Sequence, residues 1–345
     1  MFELAPTASG LKENHLIPQE ERKDYTLISN SQMRSYMSCR RKWYLEREGY
    51  TRDFKDFFII GSLVHAGVAA YYEEATEAEI ALAMGIEAEG SIKRHPGEEA
   101  KIEECLEKAE GYVGNYIKYA QEHDNFKVVA IEEKLTVLLN EEEKLGCTMI
   151  MDGLVEEDGK LWLMEHKTPA QVITEHLALD SQITLYIALI EKVIGRELEG
   201  VIYNMIRKKM PSEPKRLVRG GVSVAACDTT PEKYEAALIE QHGSVAASPE
   251  KNQKFYQQLL LAPPKFIIRE RYTRTAAEKK EILERFEGAC RELKEAKANQ
   301  VGLYPNPTRE NCSFCGFQDL CASCNNAEKL PSPDSRSKFL LTGMY

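Results

Sequence analysis

A chain of 345 residues with 43% hydrophobic side chains has ample material for one large core or two smaller ones. Its formal net charge of −10 excludes a globally basic nucleic-acid coat, although not a local basic channel. No run of about 18 apolar residues is present, the N-terminal stretch is too polar for a secretory signal, and an odd count of nine cysteines speaks against a disulfide framework, so a cytoplasmic protein with reduced thiols is expected.

Residues 1–28 are polar, carry Pro6 and Pro18, and read as a flexible arm. Residues 29–325 read as one domain: a helical part (29–125), a core (126–209), an insertion (210–262) and a C-terminal helix with a cysteine segment (263–325), followed by a tail (326–345). Ser29, Asn30 and Ser31 offer N-cap residues, and Met33, Tyr36, Met37, Trp43 and Leu45 predict one helix running to Gly49. Beside Cys39 and Trp43 stands Arg40-Arg41-Lys42, either a solvated helix face or a set of phosphate contacts. A second helix is expected to open at Gly61-Ser62, with His65 in its first turns; a lone histidine there is more often packed than ligating. Ile102, Leu106, Ala109, Val113, Tyr116, Ile117 and Ala120 predict an amphipathic helix over 98–123, with Cys105 in its buried stripe.

Strands follow. Residues 126–139 read as one strand with Glu132 and Glu133 in its middle. Met149-Ile150-Met151 and Leu161-Trp162-Leu163-Met164 flank the polar turn 156–160, which predicts a β-hairpin. Asp152 closes the first run; Glu165, His166 and Lys167 close the second. Alternation puts Glu165 and Lys167 on one face and His166 on the other, and an in-register hairpin brings Asp152 near Glu165. Such a group is either a surface ion pair or a site for a hard divalent cation with a lysine beside it. A helix over 174–193, stopped by Gly195, places Gln182 and Tyr186 on one face. Residues 200–207 and 265–272 read as strands, the second at a sheet edge, and Ile282, Phe286, Ala289 and Leu293 mark a helix over 275–298.

Cys312, Cys315, Cys321 and Cys324 follow with the spacing C-x2-C-x5-C-x2-C, a density that points to metal. Two arrangements are open: a local four-thiolate zinc site, or three of these cysteines joined by Cys39 around an iron–sulfur cluster.

Taken in order, these residues resemble the PD-(D/E)XK nuclease superfamily, in the branch of the RecB nuclease domain, the AddB C-terminal nuclease and Cas4, and within it the phage-encoded Cas4-like or RecB-like exonucleases. Ser31 to Cys39 fits the early S-x6-x-C segment; Gly61 to His65 is similar to G-x3-H; Glu165-His166-Lys167 is the D/E-x-K element; Gln182 to Tyr186 is Q-x3-Y; Cys312, Cys315 and Cys321 are the terminal cysteines, with Cys324 outside the pattern. The G-x-x-D element is irregular, because Met149-Ile150-Met151 precedes Asp152 and a glycine, Gly153, follows it. The resemblance implies a restriction-endonuclease-like α/β fold: a central mixed sheet flanked by helices, with N- and C-terminal segments joined by a metal cluster. It implies one or two Mg²⁺ or Mn²⁺ ions held by His65, Asp152, Glu165 and the carbonyl of His166. Catalysis would rest on Lys167, Asp152 and Glu165 with Gln182 and Tyr186. Cys39, Cys312, Cys315 and Cys321 would bind a 4Fe–4S cluster, with structural Zn²⁺ as the alternative. Basic residues at 40–42, 207–209 and 269–274 would line a DNA channel, with Tyr36 or Trp43 stacking on a base and Glu132 or Glu133 behind the ligands. The implied activity is metal-dependent DNA cleavage, expected as an exonuclease in recombination, repair or phage DNA processing; the alternatives are a Cas4-like CRISPR adaptation nuclease and a catalytically weak DNA-binding partner. The implied partners are single-stranded DNA or duplex ends and a helicase or annealing protein, with homo-oligomerisation open and no membrane; the compartment would be the cytoplasm, that of the bacterial host if phage-encoded.

Overall fold

The computed structural model describes residues 15–50, 54–218, 221–225, 228–299, 303–313 and 315–323. Cys324, the tail from 326 and most of the N-terminal arm lie outside the described residues. The helices are α1 (Asn30–Ser38), α2 (Arg40–Arg47), α3 (Asp56–Tyr72), α4 (Glu77–Arg94), α5 (Glu99–His123), α6 (Ser181–Ile194), α7 (Pro231–His242), α8 (Glu250–Leu261), α9 (Ala276–Asn299), α10 (Arg309–Ser313) and α11 (Gln318–Ser323). The strands are β1 (Thr26–Ile28), β2 (Lys127–Asn140), β3 (Leu145–Glu157), β4 (Lys160–Lys167), β5 (Leu198–Ile206) and β6 (Ile267–Tyr272).

One mixed sheet holds all six strands, and β3 is its hub. Strand β2 pairs antiparallel along one edge of β3, from Lys127–Glu156 to Asn140–Leu145. The other edge is shared: β1 runs parallel against Leu145–Cys147, and β4 runs antiparallel against Gly153–Glu157. Residues 148–152 face the gap between these two partners, so Asp152 stands where the sheet splits. The β3–β4 turn is tighter than the polar stretch suggested. Only Asp158 and Gly159 form it, at φ of 52° and 75°, and Glu157 pairs with Lys160. Two left-handed residues give the turn whose twist matches the flanking strands. Beyond β4, β5 is parallel and β6 antiparallel.

Helices cover both faces. Leu163, Leu185, Leu189, Tyr203 and Phe286 join the sheet to α6 and α9, while Val64, Met84, Val113, Met164 and Ile202 join its other face to α3, α4 and α5. The α5 stripe is buried from Ile102 to Ala120, as its spacing predicts. Gly67 lets α3 approach its neighbours, since a Cβ there would lie 2.8 Å from Met84 Sδ and 2.9 Å from Val113. Asp180 caps α6, and Gly195 ends it at φ of 68°.

Several expectations change, among them the helix expected from 174, which opens only at Ser181 after a short 3-10 turn at Leu177–Leu179. The single helix to Gly49 is two helices, broken by the extended backbone of Cys39 at φ −157° and ψ 106°. The His65 helix opens at Asp56, because Ile59 and Ile60 are buried and extend its apolar side. It ends at Tyr72, and a separate helix, α4, starts at a Thr76–Glu79 capping box.

Residues between β5 and β6 build a satellite. Helices α7 and α8 enclose a small cluster of Val222, Tyr234, Ala237, Leu238 and Leu259. Asp228 ties it to the main body through Arg207 and Lys209. The chain ends also meet: Leu45 and Tyr50 pack with Phe317 and Leu320.

Candidate active site

The β3–β4 ladder stops at Gly153–Met164, and the strands part at the next pair, Asp152 and Glu165. Gly153 allows the close approach, because a Cβ would lie 2.7 Å from Met164 Cε. Asp152 Oδ2 then accepts from the His166 backbone N–H at 2.6 Å. The small residue that the sequence lacks before Asp152 is supplied after it, while Met149 and Met151 fill the core.

Helix α3 brings His65 to the same point. Its Nδ1 lies 3.4 Å from Asp152 Oδ1 and 3.9 Å from Glu132 Oε1. Glu132 stands between the pairs Ile131–Gly153 and Glu133–Met151, hence opposite Asp152, and takes a φ of 49°. Ligand atoms of His65, Glu132 and Asp152 all lie within 4.8 Å of one another. This is the geometry of a small cation site with oxygen donors and one nitrogen.

The electrostatics agree with that donor set. Burial, with the charge of Asp152, raises the Glu132 carboxyl to about 7. Burial likewise raises Glu165, with Asp152 adding to it and Lys167 opposing. Burial also works to raise Asp152, but His65 outweighs it and holds Asp152 well below the usual carboxylate range. Burial alone would lower His65; Asp152 above all outweighs it and raises the imidazole to about 9. A cation must displace the protons on His65 and Glu132, so its affinity rises with pH. Mn²⁺ affinity measured calorimetrically at pH 6, 7 and 8 is expected to climb by roughly tenfold or more per unit, with proton release. A flat profile would show that these two groups do not bind the metal.

Glu165 faces α6 together with Lys167, whose Nζ is 2.5 Å from Glu165 Oε1. Burial would lower Lys167, yet Glu165 outweighs it and raises the ammonium's pKa. Burial raises the Tyr186 hydroxyl, with Glu165 and Asp152 adding to it, and Gln182 stands one helical turn earlier on the same face. Asp180, the α6 cap, accepts from Tyr203 Oη at 3.2 Å and adds its charge beside Lys167. The structure thus gathers His65, Asp152, Glu165, Lys167, Gln182 and Tyr186 from four elements.

The sequence pattern of the PD-(D/E)XK nuclease superfamily matches residues 27–322. The chain belongs to that superfamily. No curated protein matches the chain significantly. Membership makes it a nuclease-type hydrolase, and the mixed sheet flanked by helices is consistent with the restriction-endonuclease-like core. Among the described residues no helix is long and apolar enough to cross a membrane.

In this nuclease the His166 side chain lies away from Glu165 and Lys167. It stacks on Tyr72 at 6.0 Å and meets Tyr116 edge-on at 5.4 Å, and burial lowers its imidazole to about 3. Its backbone N–H reaches Asp152, and its ring meets His65 edge-on at 6.1 Å. Glu132, expected behind the ligands, is in the ring itself. Its place opposite Asp152 follows from the register of two strands, and a glutamate inside an apolar strand was the available signal.

The expected cation channel at 207–209 and 269–274 is largely tied down. Arg207 and Lys209 pair with Asp228, Arg269 with Asp124 and Arg271 with Glu157. Lys208 donates to the Phe57 carbonyl, and buried Arg274 to Thr184 and the Leu177 carbonyl. Of the triplet at 40–42, Arg40 pairs with Glu292 and Arg41 donates to the Leu303 carbonyl. Tyr36 and Trp43 are 1% and 2% exposed, so neither can stack on a base.

Cys39, Cys312, Cys315 and Cys321 are free thiols near one another. Cys39 and Cys312 both raise Cys315 and Cys321, after burial. Asn306 donates to Cys39 Sγ at 3.4 Å, and Asn306 and Asn311 both donate to the Ser38 carbonyl. The break between α1 and α2 therefore turns Cys39 toward the C-terminal segment.

Proposed function

We propose that this nuclease hydrolyses DNA phosphodiester bonds with Mg²⁺ or Mn²⁺, as an exonuclease of the RecB, AddB and Cas4 type. The observation that carries it is the ring of His65, Glu132 and Asp152 set directly beside the Glu165–Lys167 pair. Three acids and a histidine crowded together oppose one another's charge, and a divalent cation relieves that opposition. The donors fit: His65, Glu132 and Asp152 would hold the ion, with Glu165 on the next strand. The imidazole favours Mn²⁺ more than an all-oxygen site would. When bound, such an ion supplies Lewis-acid stabilisation to the phosphoryl group and makes water more acidic.

The side chains do the rest. Lys167 would orient the attacking water and neutralise charge developing on phosphoryl oxygen. Glu165 fixes the ammonium and Tyr186, with Gln182, stands over the acid pair. The cysteines from both ends fit a 4Fe–4S cluster that would clip the domain shut, and the ordered motifs from Cys39 to Cys321 support the same branch. Within that branch, work on phage or host DNA beside a helicase or an annealing protein is the context the motifs support.

The test uses purified protein with end-labelled linear DNA, closed circles, and Mg²⁺, Mn²⁺ or EDTA. Metal-dependent loss of linear DNA from its ends, with circles resistant, is expected. Cleavage of circles at the same rate would refute the exonuclease reading, and no cleavage with either ion would refute the nuclease activity. Anaerobically purified protein is expected to be brown and to contain iron, and Cys39→Ala to lose that colour. Colourless protein with one zinc that is indifferent to Cys39→Ala would assign the local four-cysteine site.

A further inference from the structure

A groove of about 760 Å³ runs between α1–α2, the start of α3 and the start of α6. Arg34, Lys42 and Arg47 line it, against one carboxylate, Glu46. In a chain of net charge −10 this is a local excess of cations, and none of the three is in a described ion pair. Phe58 also lines the groove, and it is 54% exposed. An aromatic ring left open to water among cations has an evident use in nucleic-acid binding.

Two helices that line the groove, α3 and α6, also carry residues of the candidate active site. On α3, Phe58, Ser62 and His65 share one face, and Ser62 Oγ donates to the Phe58 carbonyl at 3.0 Å. Phe58 and His65 are seven positions apart, or roughly 10 Å along the axis. On α6, Gln182 lines the groove and Tyr186 lies one turn deeper. The floor is polar: Gln32 Oε1, Ser35 Oγ and Trp43 Nε1 are buried without a hydrogen-bond partner among the described residues. Such groups call for water or a ligand.

Resting on the nuclease reading, we infer that this groove holds a single strand of DNA, with a base stacked on Phe58 and its phosphates along Arg34, Lys42 and Arg47. The cations alone would suit any phosphate backbone. Phe58 selects, because the faces of paired bases in a duplex are covered by their neighbours, whereas an unpaired base offers its face to the ring.

The experiment measures binding without cleavage, by fluorescence anisotropy in EDTA, with a labelled oligothymidylate and a blunt duplex of equal length. Phe58→Ala is expected to weaken single-strand binding about 5- to 100-fold and to leave duplex binding within about twofold. Arg34→Ala is expected to flatten the slope of log affinity against log salt by about 0.7 on the single strand. Both side chains are exposed, so the fold survives either change, and a thermal melt checks it. Wild-type-like single-strand affinity in Phe58→Ala, equal losses on both DNAs, or no single-strand binding by the unaltered protein overturns the inference. Because no metal is present, a Phe58-dependent affinity stands even if the protein proves unable to cut. Conversely, metal-dependent cleavage with Phe58-independent binding removes the groove assignment alone.

Discussion

Lys167→Ala is expected to lower metal-dependent DNA cleavage by about 100- to 10,000-fold, with Mn²⁺ affinity changed only a few-fold. Lys167 is outside the ring of His65, Glu132 and Asp152, so the donors survive its loss. Its only described carboxylate partner is Glu165, which is 4% exposed. Without the ammonium, Glu165 loses the charge that opposes its burial, and its carboxyl rises further. The change keeps the fold but removes the orienting donor from the reaction. Lys167→Arg is not expected to rescue the rate, because a planar guanidinium cannot replace a compact ammonium at a half-buried point. Asp152→Asn supplies the contrast: it removes a ring oxygen charge, so cleavage and Mn²⁺ affinity fall together. Single-turnover cleavage and calorimetric metal titration on the same preparations separate the two. Undiminished cleavage by Lys167→Ala would exclude the lysine from the chemistry, and an equal loss of Mn²⁺ affinity would make it a support for the ring.

The hairpin was legible because its information is local. Asp152 and Glu165 are brought together by a turn of two residues, and alternation alone separates Lys167 from His166. Gln182 and Tyr186 share a helical face for an equally local reason. Cys39 shows the limit of such reading. Helical spacing runs straight through it, and only contacts with Asn306, Asn311 and the C-terminal segment explain an extended residue between two helices. The cations show the same limit from the other side. Arg207, Arg269 and Arg274 look like a channel in sequence because their partners, Asp228, Asp124 and Thr184, are 21 or more residues away. Of the groove cations only Lys42 stands out in sequence, beside Arg40 and Arg41; nothing local marks Arg34 or Arg47. Glu132 needed both limits to be passed: a strand register and a left-handed backbone at one glutamate.

The partner of Arg269 makes the second large prediction, on stability. The Arg269 side chain is 5% exposed, its Nη2 lies 2.7 Å from Asp124 Oδ1 in a charge contact, and its Nε donates to Asn204 Oδ1 at 2.6 Å. Asp124 Oδ2 in turn accepts from Tyr72 Oη, which shares a 2.7 Å hydrogen bond with Tyr116 Oη. Both tyrosine rings hold His166, and Asn204 is its register partner on β5. The network therefore braces the strand that carries Glu165 and Lys167 from the face opposite to them. Arg269→Met leaves the Asp124 charge buried and unmatched, and is expected to cost about 3–5 kcal/mol in urea unfolding. Removing both charges, as Arg269→Met with Asp124→Leu, is expected to recover most of that loss, since the penalty is the stranded charge and not the missing attraction. Tyr72 keeps Tyr116 as its partner in the double variant, so no hydroxyl is stranded in turn. A double variant as unstable as the single one would mean that Arg269 acts through Asn204 and the aromatic packing. In that case the cleavage rate, and not the urea midpoint, would track the geometry of Glu165-His166-Lys167.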